Sequence, residues 1–227
     1  MKMVCATHQG LVRLNNEDSV AVDEKLGWAV LADGMGGLLA GEEASAVAVD
    51  VAASELKAGE QDMNQVVLKA HQGVVDVAKA KNYSGKMGTT LMVWSWCNGN
   101  PTFSHVGDSR IYSYQAGELS QLSLDHTVAQ RMVDEGVITQ DQLHTAPKQN
   151  VLTQALGMPG MLRPQNGQTT EQGRLLLCSD GLTDLVPAER IEALMAGDSL
   201  QDVAEELVKA ALDKGGRDNI TVAVIQL

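Results

Sequence analysis

Short apolar runs joined by tight turns are the feature that most restricts the fold of this chain. Eight of them, rich in β-branched and apolar residues, lie at residues 3–7, 19–22, 28–32, 90–96, 102–106, 110–114, 174–179 and 220–225. Tight turns, such as those at 97–100 and 115–118, follow several of these runs, and connections this short favour antiparallel pairing. The sequence therefore predicts antiparallel sheets.

Three helices are predicted beside these strands. Apolar residues recur at helical spacing over 63–81 and 200–212, which indicates one buried face on each of these two amphipathic helices. The segment 41–56, rich in Ala and Val, is expected to be a well-buried helix. Asp62 and Ser199 precede the two amphipathic helices, where N-cap residues are expected. This combination predicts layers of helix that cover packed sheets.

Length and charge limit the domain organisation and the ligand. The 227 residues, 44% of them hydrophobic, suffice for one large core, and a single domain over residues 1–227 is predicted, with a surface flap at about 125–172, where Gly, Pro and Gln accumulate. With 17 Lys and Arg against 29 Asp and Glu, the net charge is −12, and no basic stripe offers a surface for nucleic acid. An anionic ligand would need a bound metal or a few well-placed arginines.

The N-terminal residues, the lengths of the apolar runs and the cysteines together indicate a cytoplasmic protein without membrane contact. Residues 1–10 lack the apolar segment of a signal peptide, and no apolar run approaches the roughly 20 residues of a membrane helix. The cysteines, Cys5, Cys97 and Cys178, have no metal-ligand spacing. We expect reduced thiols with structural roles.

Carboxylates stand at four predicted strand ends. Asp33, Asp108 and Asp180 follow apolar runs directly, and Asp218 opens the last strand. Turn chemistry explains any one of them, because the short Asp side chain caps its own backbone. Four at one sheet edge would repel each other unless they were protonated or bound divalent cations. Oxygen ligands without a His or Cys cluster favour Mg²⁺ or Mn²⁺.

Arg13 lies shortly before the acidic pair Glu17 and Asp18, which opens another strand. A lone arginine is usually a solvated surface charge. Beside a carboxylate-bound metal pair, however, a guanidinium is also the group that forks onto phosphate oxygens. Arg13 is therefore a candidate phosphate ligand.

Eight short motifs occur in order along the chain: R-x-x-N-E-D at 13–18, A-D-G-M-G-G at 32–37, A-G-E-x-A-S at 40–45, G-T-T at 88–90, V-G-D-S-R at 106–110, D-H at 125–126, C-S-D-G-L-T-D at 178–184 and G-R-D-N-I-T at 216–221. Each is weak alone, but the ordered set is highly specific. It resembles the bacterial branch of the metal-dependent protein phosphatases of the 2C type, the PPM family. The resemblance implies an α+β fold in four layers, two mainly antiparallel sheets packed as a β-sandwich with helices on both outer faces.

The resemblance also implies a dinuclear metal centre that binds Mn²⁺ or Mg²⁺. Asp33 would bridge the two ions, and the Gly34 carbonyl would bind one of them. Glu17, Asp180 and Asp218 would complete the ligand set directly or through water.

Further roles follow from the same resemblance. Asp108 and Asp180 would hold a third and weaker ion, as in bacterial relatives. Arg13 would bind the phosphate, Asp18 would support the neighbouring glutamate, and Asn219 would orient the last ligand.

The expected reaction is hydrolysis of phosphoserine and phosphothreonine in proteins. A water between two divalent ions has a lowered pKa, so hydroxide is available near neutral pH for in-line attack while Arg13 stabilises the phosphoryl charge. A covalent phosphoenzyme is not required. Accordingly, no Cys is followed six positions later by Arg, and no D-x-D motif is present.

Three positions depart from common patterns of the family. Met35 stands where animal relatives have a histidine that is proposed as general acid, so the leaving group would need another proton source. Leu38 and Gln154 replace a histidine and an arginine of many bacterial members. We expect effects on packing near the site and on flap contacts or substrate choice, without loss of a ligand.

Two alternative functions remain open at this stage. One is a hydrolase of small phosphate esters, and the other is a catalytically silent module that binds phosphoproteins. Retention of all four side-chain ligands, Glu17, Asp33, Asp180 and Asp218, argues against the silent module. The expected partners are phosphorylated Ser/Thr proteins, a bacterial Hanks-type kinase or its targets, and the protein is expected to be a monomer.

Overall fold

The computed structural model describes residues 1–35, 40–97, 99–146 and 149–227, which contain two five-stranded sheets. The first sheet contains, in spatial order, β1 (Lys2–His8), β10 (Ile220–Gln226), β9 (Arg174–Cys178), β6 (Arg110–Gln115) and β7 (Glu118–Gln121). The second contains β2 (Asp18–Asp23), β3 (Trp28–Asp33), β4 (Leu91–Cys97), β5 (Asn100–Val106) and β8 (Gln165–Gln168). Every neighbouring pair in these sheets is antiparallel, as predicted.

Both faces of the central strands are buried, which explains their continuous apolar sequence. In β3, Ala29 and Leu31 point between the sheets, whereas Trp28 and Val30 point toward the helices. The same alternation, which follows from the two-residue period of a strand, recurs in β9. The core of the sandwich is therefore packed between the two sheets, with a second apolar layer under the helices.

Helices cover both outer faces of the sandwich. The second sheet packs against α1 (Gly41–Lys57) and α2 (Met63–Ala80), and the first against α5 (Ala188–Met195) and α6 (Leu200–Asp213). The Asp62 carboxylate accepts hydrogen bonds from two N–H groups of α2, and the Ser199 hydroxyl accepts one from Asp202. The predicted four-layer α+β sandwich and both predicted caps are confirmed.

The predicted flap is only in part a surface excursion. It contains α3 (Val128–Asp134) and a 3₁₀-helix (Gln140–Thr145), and α4 (Asp180–Thr183) follows it. The strand β8 also falls inside it, paired with β5 at the sheet edge, and Leu156 is fully buried beside Thr89. Polar residues and a glycine fill β8, so no apolar alternation marks this edge strand; the short and polar β7 was missed for the same reason.

Smaller features agree with the sequence. The turn between β6 and β7 has positive φ angles at Ala116 (53°) and Gly117 (88°), as a tight hairpin turn requires. Cys5 and Cys178 are free thiols, and the Cys97 side chain is outside the described residues. None of the helices in the described ranges combines the length and hydropathy needed to cross a membrane.

Candidate metal centre

The predicted ligands come to one end of the sandwich, where strands of both sheets stop. β3 ends at Asp33, and the antiparallel register places Asp18 directly opposite it. In the other sheet, Asp180 follows the end of β9 and Asp218 precedes the start of β10. Because β9 and β10 are neighbours, these last two carboxylates lie at the same edge.

The carboxylates converge: Asp108, Asp180 and Asp218 line one cleft, and Asp18 lies opposite Asp33 across β2 and β3. The pKa of Asp33 is raised well above its ordinary value, mainly by burial and then by the charges of Asp18, Asp180, Asp108 and Asp218. The pKa of Asp180 is raised in the same way, mainly by burial and then by its acidic neighbours. Both residues keep a partly exposed surface. The site is therefore strongly acidic and open to ions from solution.

Asp18 has one satisfied and one unsatisfied carboxylate oxygen. Its Oδ2 accepts a hydrogen bond from the Ser179 hydroxyl at 2.8 Å, whereas its buried Oδ1 has no hydrogen-bond partner. Burial is the largest cause that raises the pKa of Asp18 to about 6. An unpaired buried carboxylate oxygen is costly, and a bound ion with its water would supply the missing partner.

Close backbone packing surrounds Gly34 and Glu17. The Gly34 N–H donates to the Glu17 carbonyl oxygen at 3.0 Å, and a Cβ at Gly34 would overlap the Gly41 carbonyl. A Cβ at Gly41 would lie 2.8 Å from the Glu17 carboxylate, which places that carboxylate at the N-terminus of α1, where the helix dipole favours negative charge. Both glycines are therefore required sterically beside the ligands.

Asn219 holds the loop that carries Glu17. Its Oδ1 accepts a hydrogen bond from the Glu17 N–H at 2.8 Å, and its Nδ2 donates to the carbonyl oxygens of Gln9 and Asn15, both at 2.9 Å. The side chain is buried, with 5% of its surface exposed. Sequence reasoning expected Asn219 to orient Asp218. Its backbone N–H does donate to Asp218 Oδ1 at 2.8 Å, and its side chain in addition fixes the loop at 9–17.

Arg13 reaches the site from the same loop. Its guanidinium donates to Asp218 Oδ2 at 2.6 Å, and the two side chains are 42% and 37% exposed. This hydrogen bond is the largest cause that raises the Arg13 pKa. A half-exposed guanidinium beside the carboxylates can meet a phosphate from solution.

Asp108 lies beside the same cluster. It follows Gly107, whose φ is +114° and whose added Cβ would collide with Thr90. Burial is the largest cause that raises the pKa of Asp108 to about 7, followed by the charge of Asp125. Repulsion from Asp108 also raises the pKa of Asp180. The two predicted ligands of the third ion are thus close neighbours.

Hydroxyl groups that sequence reasoning missed connect the ligand positions. Thr90 Oγ1 accepts from the Asp33 N–H at 2.9 Å and lies 2.8 Å from Ser109 Oγ. Ser179 Oγ, which donates to Asp18, also accepts from the Thr221 N–H at 3.0 Å. Ser109 and Ser179 directly adjoin the predicted ligands Asp108 and Asp180, whereas Thr90 and Thr221 lie two and three positions from Gly88 and Asp218. All four stand in motifs that sequence analysis singled out, but nothing in the sequence assigns these hydroxyl groups their partners.

A buried ion pair anchors the start of the flap next to Asp108. The Arg110 guanidinium donates to both carboxylate oxygens of Asp125, at 2.6 to 3.1 Å, and both side chains are largely buried. The His126 ring stacks on His105 with 4.6 Å between centroids, and its Nδ1 accepts from the Gly107 N–H at 3.1 Å. The D-H motif therefore fixes the Gly107 turn.

The donor set fits hard divalent cations. Within the described ranges, no group of three or more His, Cys, Asp and Glu side chains is gathered closely enough to enclose one ion. Carboxylates instead approach from several segments with space between them. Mg²⁺ and Mn²⁺ suit such a site, because Mg²⁺ in particular retains several waters and needs only one or two carboxylates.

Of the three positions that depart from common family patterns, the structure describes Met35 and Gln154. Met35 follows Gly34 and lines a cavity of about 320 Å³ with the segment 152–162; a thioether has no proton to donate. The Gln154 amide donates to the Arg163 carbonyl at 3.0 Å and accepts from the Arg163 N–H at 2.9 Å, which closes the flap loop 154–163. Leu38 lies outside the described residues.

Comparisons with known proteins agree with this geometry. A family model described as protein phosphatase 2C matches residues 8–215. Protein phosphatase PhpP of Streptococcus pneumoniae is 33% identical over 241 residues, which cover 100% of this chain and 98% of the relative. The crystal structure of the Mycobacterium tuberculosis serine/threonine phosphatase PstP/Ppp is 34% identical with a TM-score of 0.90, covering 100% of this chain and 98% of that one.

A second crystal structure of the PstP catalytic domain contains two manganese ions. It is 34% identical to this chain with a TM-score of 0.85, and the match covers 98% of this chain and 96% of that one.

Proposed function

Because the chain belongs to the protein phosphatase 2C family, we propose that its acidic cluster is the dinuclear centre with which it hydrolyses phosphoserine and phosphothreonine in proteins. The family and its manganese-bound relative make this chain a metal-dependent serine/threonine protein phosphatase. The proposal assigns the ligands: Asp33 as the bridge, the Gly34 carbonyl on one ion, and Glu17, Asp180 and Asp218 around the pair.

The observation that carries this assignment is the convergence of largely buried carboxylates at one end of the sandwich. Burial and repulsion raise the pKa values of both Asp33 and Asp180, and the buried Asp18 Oδ1 lacks a partner. A folded protein retains such a cluster only if something offsets its cost. Bound cations offset both the repulsion and the unpaired oxygen.

When bound, two divalent ions supply Lewis-acid charge and a water of lowered pKa. The chain itself supplies the alignment of the phosphate. The Arg13 guanidinium presents several parallel N–H donors, which match the oxygens of a phosphoryl group. Its present partner, Asp218, would keep it at the site until substrate arrives.

Asp18 and Asn219 are proposed to support the centre rather than to react. Asn219 fixes the Glu17 backbone, and Asp18 is fixed by Ser179, so both ligand-bearing segments are held before any ion binds. Preorganised ligands of this kind typically raise metal affinity by about 10- to 100-fold.

A third, weaker ion is proposed at Asp108 and Asp180. The repulsion between them supports this assignment, and the partly exposed cleft beside them is wide enough for hydrated ions, with a volume of about 360 Å³. We propose Mn²⁺ or Mg²⁺ for all positions, because the donors are oxygen atoms.

The substrates are phosphoproteins. More specifically, we propose a serine/threonine kinase or the targets of such a kinase as partners in the cytoplasm, with this chain acting as a monomer. The reaction would remove the phosphates that such a kinase adds.

Phosphate release from a phosphothreonine peptide tests the proposal. The wild type is assayed with Mn²⁺, with Mg²⁺ and with EDTA, beside Asp33→Asn and a matched control, Asp50→Asn, which changes an exposed aspartate of α1. We expect metal-dependent release by the wild type and the control, and a loss of at least about 100-fold in Asp33→Asn.

Two results would contradict the proposal. Undiminished release in EDTA, or full activity of Asp33→Asn, would show that the acidic cluster does not bind catalytic ions. Hydrolysis of p-nitrophenyl phosphate without any hydrolysis of phosphopeptides would favour a hydrolase of small phosphate esters.

A further inference from the structure

Three exposed apolar side chains flank the phosphate-binding arginine. Leu11 and Val12 are each 65% exposed and Leu14 is 95% exposed, and Arg13 lies among them in the sequence. Single exposed apolar residues are common on protein surfaces. Three within four consecutive positions form a local apolar surface, and its place beside the proposed phosphate ligand makes it a candidate surface for substrate contact. We call these three residues the apolar collar.

The collar stands on a fixed loop. Asn219 binds the Gln9 and Asn15 carbonyls at the two ends of the loop, and the Leu11 N–H donates to the Gly216 carbonyl at 2.7 Å. Asn16 Nδ2 also donates to Thr7 Oγ1 at 2.8 Å. Hydrogen bonds from β1 and from the segment that leads into β10 thus hold the loop, and the apolar side chains are largely exposed to solvent.

The apolar collar lies beside the proposed phosphate ligand, and this position limits which parts of a substrate can contact it. Arg13 donates to Asp218 at 2.6 Å, so the collar is continuous with the rim of the acidic centre. A chain spans at most about 3.3–3.6 Å per residue. When Arg13 holds a phosphorylated side chain, the first and second residues on either side of it therefore come within reach of Val12 and Leu14.

We propose that the apolar collar binds apolar side chains that directly flank the phosphorylated serine or threonine of the substrate. This inference rests on the function proposed above, and it adds a sequence preference to it. The collar contributes no charge of its own, and burial of apolar area is the interaction that it offers. An apolar neighbour of the phosphorylated residue would cover it; a charged or small polar neighbour would leave it exposed to water.

The competing expectation is a preference for basic flanking residues. The cleft on the side of Asp108 is lined by several carboxylates, including Asp184 and Asp125, and the net charge is −12. We favour the apolar preference because Arg110 already neutralises Asp125 and bound ions would offset the charge at the centre.

The test compares two phosphothreonine peptides of equal length and charge, one with Leu or Val beside the phosphothreonine and one with Ser or Gly there. The ratio of their kcat/KM values is measured for the full chain, for Leu14→Asn, and for Leu26→Asn. Leu26 is also an exposed leucine, 49% exposed, but it lies in the turn between β2 and β3, at the end opposite Asp18 and Asp33. p-Nitrophenyl phosphate, which has no flanking residues, reports the metal centre separately.

We expect the wild type and Leu26→Asn to prefer the apolar peptide by about three- to tenfold, the range for partial burial of one aliphatic side chain. Leu14→Asn should reduce this ratio toward one, mainly through KM for the apolar peptide. Because Leu14 is almost fully exposed, this substitution should not impair folding.

Several results would overturn the inference. They are equal hydrolysis of the two peptides by the wild type, an unchanged ratio in Leu14→Asn, and a stronger preference for a matched peptide with basic flanks. A change of sedimentation coefficient in Leu14→Asn with an unchanged peptide ratio would instead assign the collar to contact between copies of the chain. Failure of the wild type to hydrolyse p-nitrophenyl phosphate with Mn²⁺ would refute the proposed function itself.

Discussion

The side-chain oxygen of Asn219 accepts a hydrogen bond from the backbone N–H of Glu17 at 2.8 Å, across 202 positions of sequence. This contact joins the start of β10 in one sheet to the loop that leads into β2 in the other. One buried amide thereby couples the packing of the sandwich to the position of a proposed ligand. Stability and metal affinity should consequently change together at this residue.

Replacement of Asn219 by Ala should lower the free energy of unfolding by about 2–3 kcal/mol, because the carbonyls of Gln9 and Asn15 and the Glu17 N–H all lose the partner that this buried side chain provides. The affinity for Mn²⁺ should fall by about tenfold or more. Urea unfolding and a Mn²⁺ titration measure the two effects. Asn166→Ala, at an exposed position of β8, is the control. Lower stability with unchanged Mn²⁺ affinity would show that the Glu17 loop is not positioned by Asn219.

Arg13→Ala should separate activity from stability. The exposed pair with Asp218 is expected to contribute about 0–1 kcal/mol to stability, whereas loss of a forked phosphate contact should lower kcat/KM for a phosphopeptide by about 10- to 100-fold. Arg131→Ala removes a similarly exposed ion pair, with Glu135, and should retain full activity. Equal kcat/KM in Arg13→Ala and the wild type would exclude Arg13 from phosphate binding.

The sequence predicted the architecture because the strands are buried on both faces and the helices are strongly amphipathic. Runs such as 28–32 and 175–178 contain no charged or hydroxyl-bearing residue, which is typical of strands buried on both faces. β8 escaped prediction because its pairing with β5 depends on tertiary contact: Gly167 accommodates the Phe103 ring, and no local propensity marks that contact.

The proposed metal ligands could be predicted from the sequence, whereas the residues that hold them in place could not. Aspartates at strand ends can be recognised in the sequence because turn residues follow them. Ser179 and Thr90 cannot be recognised in this way, since a hydroxyl in a strand or turn is compatible with many roles. Only the three-dimensional structure shows that Ser179 binds Asp18 and that Thr90 binds the Asp33 backbone.

The buried pair Arg110 and Asp125 should be strongly coupled. Arg110→Met leaves the Asp125 carboxylate buried near Asp108 without its partner, and we expect a loss of about 3–5 kcal/mol in the free energy of unfolding. The double variant Arg110→Met with Asp125→Asn should recover about 1–3 kcal/mol relative to the sum of the single changes. Urea unfolding of the four proteins measures the coupling. Additive losses would mean that the pair is not an interacting unit.

The stacked pair His105 and His126 should make the fold acid-sensitive. Burial is the largest cause that lowers the pKa of each to about 4, from an ordinary value of 6.5. The unfolded chain therefore takes up protons below about pH 6.5 that the folded chain refuses until about pH 4, so this stability is present above pH 6.5 and is lost as the pH falls.

His105→Gln should remove part of this loss. Between about pH 7 and pH 4.5, the wild type should lose about 2–3 kcal/mol more of its free energy of unfolding than the variant does. Urea unfolding at both pH values gives the difference. Parallel pH profiles for the two proteins would show that His105 is not held neutral by burial.

Asp33→Asn should stabilise the protein in the absence of metal. Burial and four neighbouring carboxylates raise the pKa of Asp33, so the folded state resists its ionisation and the cost grows as the pH rises above the ordinary value for an aspartate. A neutral amide of the same shape removes that cost, and we expect a gain of about 0.5–2 kcal/mol at neutral pH in EDTA.

With saturating Mn²⁺ the wild type should become the more stable of the two proteins. At 100 times its dissociation constant, a bound ion adds about 2.7 kcal/mol to the free energy of unfolding of the wild type, and it should add nothing to a variant that lacks the proposed bridging ligand. Thermal unfolding with EDTA and with Mn²⁺ measures both effects, and a lower unfolding temperature for Asp33→Asn in EDTA would show that this carboxylate stabilises the fold in its own right.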